Sequence, residues 1–129
     1  MAPSITTDND NSYALVEGVP AGYFTEVFVT SNSDQQQIVT FDIDGTETKI
    51  EGTGDGEQIG NFKLPDSFNT IKVYVSYVDD NGNVVPADSL ETSNPFELMG
   101  YNKGFIKAEN GDDDDDYEIE IEFEGKIKK

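Results

Sequence analysis

The chain has 129 residues, of which eight are basic and 27 acidic, so its formal net charge at pH 7 is −19. It contains no cysteine, histidine or arginine, which excludes disulfides, thiolate and imidazole metal sites, and Ser-His-Asp or Cys-His catalysis. A polyanion of this strength repels nucleic acid and anionic membrane surfaces. Nucleic acid is therefore not expected as a partner, whereas cations are.

The length suits a single domain, and 35% hydrophobic residues, with eight Phe and six Tyr, are enough to build its core. No apolar run approaches the length of a membrane span, so membrane insertion is not expected. The N-terminus lacks the basic and apolar regions of a secretory signal peptide. We expect cytoplasmic synthesis without such a peptide, and release or surface association by another route stays open.

Residues 1–11 are polar and are expected to form a flexible leader before a β-sandwich domain at residues 12–129. Within that domain, short apolar alternations separated by turn residues predict strands almost throughout. The predicted strands span residues 13–17, 23–30, 38–43, 46–51, 58–64, 71–78, 101–109 and 117–127, and residues 84–85 and 96–99 are predicted as short extended pieces around a loop.

The alternation is clearest in two of these segments. From residue 71 to residue 77 every second side chain is apolar or aromatic, and from residue 118 to residue 124 every second residue is a glutamate. Asp44 and Gly45 form the sequence signature of a two-residue hairpin turn, because both tolerate positive φ. No segment shows apolar residues at helical spacing. The sequence therefore predicts an all-β, antiparallel β-sandwich of about eight or nine strands.

The acidic run from Glu109 to Glu118 is the feature most suggestive of chemistry. It contains five consecutive aspartates and lies between two strongly patterned strands rather than at a chain end. Carboxylates this close repel one another unless a cation neutralises them, and Ca²⁺ prefers six to eight oxygen ligands. We interpret the run as a calcium site, and the alternative is a solvated acidic loop.

Other motifs for calcium, phosphate or catalysis do not match. An EF-hand loop that starts at Asp112 or Asp113 has Tyr117 or Glu118 where glycine is needed. The glycines between residues 52 and 60 lack the spacing of a phosphate-binding loop and are interpreted as turn residues. Carboxylates are too abundant for one pair suited to glycosidase chemistry to stand out.

Residues 30–38 read TSNSDQQQI and, together with the acidic run, resemble the bacterial calcium-dependent lectins that bind fucose and mannose. In the early loop of that family, an Asn that ligates calcium is followed by three residues that tune sugar choice. The match implies that Asn32 is a metal ligand. It also implies that Ser33, Asp34 and Gln35 bind the sugar.

The acidic run is similar to the family pattern E-x-G-x-D-x-D-Y-N-D, which is followed by a strand to the chain end. Glu109 and Gly111 match the first two fixed positions. Without a gap, the two Asp positions fall on Asp113 and Asp115, and the last Asp position falls on Glu118.

If Tyr117 is instead aligned with the family Tyr, one residue is inserted, Asp114 and Asp116 become the ligands, and Glu118 replaces the Asn. Both registers stay open, and Asn110 in the same run is a further candidate for contact with sugar. The implied metal ligands are Asn32, Glu109, Asp112, Asp113, Asp114, Asp115, Asp116 and Glu118.

In this family two adjacent Ca²⁺ ions are ligated directly by sugar hydroxyls, and the C-terminal carboxylate joins the site of a partner subunit. The resemblance implies one or two Ca²⁺ ions, a mono- or oligosaccharide of the fucose or mannose type, and a homodimer in which Lys129 supplies that carboxylate. The chain departs from the family by ending on Lys rather than Gly, and by alternating Ile and Glu in its last strand.

We therefore predict a non-enzymatic, calcium-dependent carbohydrate-binding protein, that is, a lectin. The first alternative is a structural or interaction β-sandwich whose acidic run binds Ca²⁺ only for stability. The second is a hydrolase that uses two carboxylates, which the lack of histidine, arginine and cysteine disfavours.

Overall fold

The computed structural model describes residues 2–32, 35–52, 57–112 and 115–128. Among these residues there is no helix with the length and apolar character of a membrane span. They form eleven strands, which in chain order are β1 (Ser4–Asp8), β2 (Tyr13–Glu17), β3 (Glu26–Ser31), β4 (Gln37–Ile43), β5 (Thr46–Gly52), β6 (Glu57–Lys63), β7 (Thr70–Val78), β8 (Val84–Pro86), β9 (Ser89–Leu98), β10 (Tyr101–Asp112) and β11 (Asp115–Lys126).

The strands form two antiparallel sheets. Sheet A has the order β1-β2-β7-β4-β5, with β8 also paired to β7, and sheet B has the order β6-β3-β11-β10-β9. Four of the nine neighbouring pairs (β2-β7, β7-β4, β6-β3 and β3-β11) join strands that are not consecutive in sequence, because the chain crosses repeatedly between the sheets. The predicted all-β antiparallel sandwich is confirmed, with more strands in the described part of the chain than the eight or nine expected.

Aromatic side chains join the two sheets through the core. Phe41 of β4 and Phe123 of β11 are fully buried, and their ring centroids lie 6.4 Å apart across the sandwich. Phe62 of β6 meets Phe41 edge to face at 4.8 Å, and Phe24 meets Phe123 at 5.5 Å. Each fully buried ring contributes roughly 1.5–3 kcal/mol relative to exposure, so this cluster is a main source of cohesion between the sheets.

Two hairpin turns depend on positive φ. Asp44 and Gly45, which join β4 to β5 as predicted, have φ values of 49° and 93°. Met99 and Gly100 join β9 to β10 in the same way, with φ values of 51° and 86°. The second turn was not predicted, because a methionine at positive φ is uncommon.

The N-terminal segment differs from the flexible leader that the sequence suggested. Residues 4–8 form β1, which pairs with β2 at the edge of sheet A, and Ile5 is only 2% exposed. Gly104 of β10 makes room for it, since a Cβ there would lie 2.5 Å from Ile5 Cδ1. A strand with one inward apolar side chain is stable here because the core and β2 supply its partners, which the local sequence does not reveal.

Where the sequence predicted only a short extended piece at residues 96–99, the structure has the ten-residue strand β9. Pro95 lies within it, and proline cannot donate a ladder hydrogen bond. β9 lies at the edge of sheet B, where it pairs with β10. Proline is tolerated at such an edge, so the segment with the sequence features of a loop completes sheet B.

The segments that were predicted from the sequence to form the site lie at one end of the sandwich. The chain leaves β3 at Ser31, crosses to sheet A and enters β4 at Gln37. Ser31 pairs with Ile119 of β11, and the backbone N–H of Asp88 donates to the carbonyl of Glu109 at 3.1 Å. The β3–β4 connection, the β8–β9 connection and the end of the β10–β11 hairpin therefore lie together.

Candidate functional site

Residues 109–112 and 115–118 of the acidic run form the paired end of a long hairpin, where the sequence suggested a loop between shorter strands. β10 continues to Asp112 and β11 begins at Asp115, so the paired region extends beyond the boundaries that the sequence suggested. Glu109 pairs with Glu118 and Asp112 with Asp115. Like charges directly opposite each other on neighbouring strands are destabilising, so the rest of the ladder holds Glu109 and Glu118 together against their repulsion.

Asn32 forms two hydrogen bonds to this hairpin, both with the backbone of Glu118. Its side-chain Oδ1 accepts a hydrogen bond from the backbone N–H of Glu118 at 2.7 Å, and its own N–H donates to the carbonyl of Glu118 at 3.2 Å. Asn32 directly follows β3, whose last residue pairs with Ile119. The pairing of β3 with β11 thus places the predicted early-loop ligand beside the acidic run.

Two glutamates and one lysine surround this contact. Glu109 and Glu118 are direct cross-strand partners. Lys107 Nζ lies 3.8 Å from Glu118 Oε1, with both side chains more than two-fifths exposed. An ion pair this exposed contributes at most about 1 kcal/mol, so Lys107 is a weak competitor for a cation at Glu118.

The structure brings together Asn32, Glu109 and Glu118 from the predicted set of metal ligands. Gln35 lies half-buried in the β3–β4 connection. For Asn110, Asp112, Asp115 and Asp116 the structure describes the strand backbone only. Outside the described residues lie Ser33, Asp34, Asp113, Asp114 and Lys129. Within the part of the chain that the structure describes, no three acidic side chains form a metal-binding group.

A hollow of about 160 Å³ lies beside Asn32. Thr30, Ser31, Glu118 and Glu120 line it together with Asn32. Thr30, Ser31 and Glu120 were not among the site residues predicted from the sequence. They line the hollow because β3 pairs with β11, and no local pattern in the sequence predicts that pairing.

The donor chemistry at this end fits calcium. The candidate ligands offer carboxylate and amide oxygens, which hard divalent cations prefer. The Oδ1 atom of Asn32 accepts one hydrogen bond and keeps a second lone pair, as an amide oxygen has two. The bond from Glu118 therefore orients the Asn32 side chain without using all of its capacity as a ligand.

Further along the same outer face of sheet B, the charges are organised differently. Lys103 Nζ donates to Glu122 Oε2 at 3.2 Å and to Glu124 Oε2 at 3.1 Å. The pKa of Glu122 is raised, first by burial and then by neighbouring Glu124, against the lowering effect of Lys103. This group is a partly buried ion-pair network, and its carboxylates are already occupied by the lysine.

A scan against protein-family models matches residues 16–123 to the family described as fucose-binding lectin II (PA-IIL). Among solved structures, a high-affinity mannose-binding lectin from Ralstonia solanacearum is 23% identical, with a TM-score of 0.61 over 81% of this chain and 90% of that chain. The Chromobacterium violaceum lectin CV2L, in complex with alpha-methyl-fucoside, is 20% identical, with a TM-score of 0.61 over 95% and 96% of the two chains. No curated protein sequence matches. The two structures show a shared fold, and the family match confirms the resemblance seen in the sequence.

Proposed function

Because the chain belongs to the fucose-binding lectin II family, we propose that it binds fucose- or mannose-type sugars in a calcium-dependent manner at the end of the sandwich where Asn32 meets the β10–β11 hairpin. Lectins bind carbohydrate without turning it over, so the expectation of a non-enzymatic protein is confirmed by the family match. The sugar type is suggested by the relatives, one described as mannose-binding and one solved with a fucoside.

The contact between Asn32 and Glu118 is the observation that carries this proposal. It joins the connection that contains the predicted sugar-binding residues to the hairpin that contains the predicted metal ligands. The sequence resemblance requires these two segments, more than 70 residues apart, to form one site. A bond of 2.7 Å between them is the contact that such a site needs.

The proposed roles of the residues follow from their chemistry. Calcium, when bound, supplies coordination positions for vicinal sugar hydroxyls. Asn32, Glu109, Glu118 and acids of the run at 112–116 hold it, with the C-terminal carboxylate of Lys129 from a second copy as a further ligand in a homodimer. Ser33, Asp34 and Gln35, with Asn110, contact the sugar and select it.

Isothermal titration calorimetry tests the proposal in two steps. Ca²⁺ is titrated first, and methyl α-fucoside, methyl α-mannoside and methyl α-galactoside are then titrated with and without Ca²⁺. We expect binding of the fucoside or mannoside that disappears on chelation. Asn32→Ala should weaken both Ca²⁺ and sugar binding, whereas the control Asn94→Ala, at an exposed position of β9, should change neither. Sugar binding that survives chelation, or an Asn32→Ala variant with wild-type affinities, would contradict the proposal.

The alternative is a structural module in which the acidic run binds Ca²⁺ without a sugar. The high concentration of carboxylates between Glu109 and Glu118 favours Ca²⁺ binding in both cases. A ligand that binds only the native state raises its stability. A melting temperature that rises with Ca²⁺ and does not rise further with any of the three glycosides would favour the structural module.

A further inference from the structure

A second, larger hollow lies on the outer face of sheet B. Its volume is about 470 Å³, which is within the range of about 300–1,000 Å³ typical of small-molecule sites. We call it the β9–β10 groove. Its lining includes Glu91, Ser93, Phe96, Phe105, Lys107 and Glu120.

The polar side chains of the groove form a row across three strands. Lys107 of β10 pairs directly with Glu91 of β9 on one side and with Glu120 of β11 on the other. Neither glutamate makes a side-chain hydrogen bond or ion pair with another residue of the described ranges. The row therefore presents one unused carboxylate acceptor on each side of the cationic donor Lys107. Ligand hydroxyls, which both donate and accept, complement such a row.

An aromatic pair lies beside this row, further along β9 and β10. Phe96 stacks on Phe105, with ring centroids 5.8 Å apart and an angle of 27° between the planes. Phe96 is 39% exposed. Phe105 N–H donates to Ser93 Oγ at 3.1 Å, which leaves the Ser93 hydroxyl proton available to a ligand. A pyranose ring has an apolar C–H face and a rim of hydroxyls, so it matches an aromatic surface beside polar groups.

The groove and the hollow at the proposed calcium-dependent site share one lining residue. Glu120 lines both the β9–β10 groove and the smaller hollow beside Asn32. From β3 to β9 the sheet crosses three strand spacings, or about 14 Å. A short oligosaccharide can lie across such a distance, whereas a monosaccharide that occupies the hollow beside Asn32 cannot reach Glu91 or Phe96 of β9.

We propose that the β9–β10 groove is a second carbohydrate subsite, which takes a further pyranose ring of an oligosaccharide whose terminal sugar occupies the calcium-dependent site. This inference rests on the proposed function. The ring lies against Phe96, and its hydroxyls bond to Glu91, Ser93 and Glu120. The subsite contributes affinity for longer glycans and none for monosaccharides.

The experiment compares short and long sugars on matched variants in Ca²⁺. The probes are methyl α-mannoside against an α-linked mannotriose, and methyl α-fucoside against 2′-fucosyllactose. Phe96→Ser and Glu91→Ala remove groove contacts and leave the residues of the calcium-dependent site intact. Their controls, Leu98→Ser and Glu97→Ala, change exposed residues of the same strand that do not line the groove.

We expect wild type to bind at least one longer sugar more tightly than its monosaccharide. Each groove variant should lose about 2- to 12-fold in affinity for that longer sugar, the range of one lost hydrogen bond or contact of similar worth. Monosaccharide affinity should stay unchanged in all variants, and the controls should match wild type. Amide chemical shifts of Ser93, Phe105 and Lys107 should move only with the longer sugar.

Other outcomes overturn the inference in distinguishable ways. If wild type binds no sugar, the proposed function fails and the subsite fails with it. If monosaccharides bind with Ca²⁺ but longer sugars gain nothing, or gain equally in the groove variants, only the subsite fails. If Phe96→Ser instead lowers the sedimentation mass and leaves sugar affinities unchanged, the groove is a contact between copies of this chain.

Discussion

Gln37 is a buried amide without a hydrogen-bond partner in the described part of the structure. It begins β4, is 0% exposed, and neither Oε1 nor Nε2 is bonded there. An unsatisfied buried polar group costs about 1–3 kcal/mol. We therefore expect Gln37→Met, which keeps the length of the side chain, to raise the free energy of unfolding by about 1–2 kcal/mol. In thermal unfolding this corresponds to about 4–7 °C for a domain of this size.

The neighbouring exposed residue provides the control for this substitution. Gln36→Met should change stability by less than about 0.5 kcal/mol, as surface substitutions usually do. A lower stability of Gln37→Met would contradict the prediction and would mean that the amide binds an internal water, which buried polar groups often do.

Asp34 tests the assignment of the sugar-selecting residues. It is predicted to contact the sugar and not the metal. Asp34→Ala should therefore change the ratio of fucoside to mannoside affinity while it leaves Ca²⁺ affinity nearly intact, both measured by calorimetry. An equal loss of Ca²⁺ and sugar affinity would place Asp34 among the metal ligands instead, and no change in either would contradict the resemblance at this position.

Among the strands and hairpins, the β10–β11 hairpin contains the metal ligands, and two alignments with the family pattern place these ligands at different residues. The two alignments select either Asp113 with Asp115 or Asp114 with Asp116. Changing one pair to Asn should lower Ca²⁺ affinity at least tenfold, because each lost carboxylate removes charge and a ligand, and the other pair should have a smaller effect. Calorimetric titration of the two double variants identifies the register.

Glutamates further along β11 are the control for this comparison. Lys103 Nζ donates to both Glu122 and Glu124, so these two carboxylates are already paired with a cation and are not free to hold a metal ion. Changing both to Gln should lower Ca²⁺ affinity only through long-range charge, which salt screens. Glu120 is omitted because it lines the hollow beside Asn32. A loss in this control equal to that of the hairpin variants at high salt would contradict a site at the hairpin.

The same face of sheet B carries a pH-dependent contribution from Lys103. Burial alone lowers the pKa of Lys103, but hydrogen bonds to Glu124 and Glu122 outweigh it, so the pKa lies above the ordinary value of 10.5. A raised pKa in the folded state stabilises the protein below pH 10.5 and is lost as the pH rises through the folded value. Lys103→Met should abolish this alkaline loss, measured by urea unfolding from pH 8 to pH 12.

A second measurement on the Lys103→Met variant tests the coupling within the network. Lys103 lowers the pKa of Glu122. Without the lysine, the pKa of Glu122 should rise further, which carboxyl ¹³C chemical shifts in a pH titration would report. An unchanged titration of Glu122 would mean that the two groups are not coupled in solution.

At the scale of the whole molecule, the net charge of −19 destabilises the compact state through self-repulsion. Sodium chloride should raise the melting temperature modestly by screening. Calcium chloride at the same ionic strength should raise it several degrees more, since a ligand at 100 times its Kd stabilises the native state by about 2.7 kcal/mol. Magnesium chloride separates ion selectivity from divalent screening. Equal shifts in melting temperature with all three salts would contradict the proposal of a specific calcium site.

The class of fold and the segments that contribute to the site could be predicted from the amino-acid sequence alone. Period-two alternation is a local property, so the inward faces of β4, β7 and β11 and the Asp44–Gly45 turn could be predicted from neighbouring residues. The same is true of the acidic run and of residues 30–38, whose composition and spacing carry the family resemblance.

The pairing of the strands could not be predicted from the sequence, because it depends on contacts between residues far apart in the chain. β1 and β9 have weak local signals, yet Ile5 is buried by packing against Gly104, and Pro95 is tolerated because β9 lies at an edge. The pairing of β3 with β11 puts Asn32 on Glu118, and the pairing of β10 with its two neighbours builds the β9–β10 groove. No local pattern encodes these contacts, since each is formed by the packing of the whole sandwich.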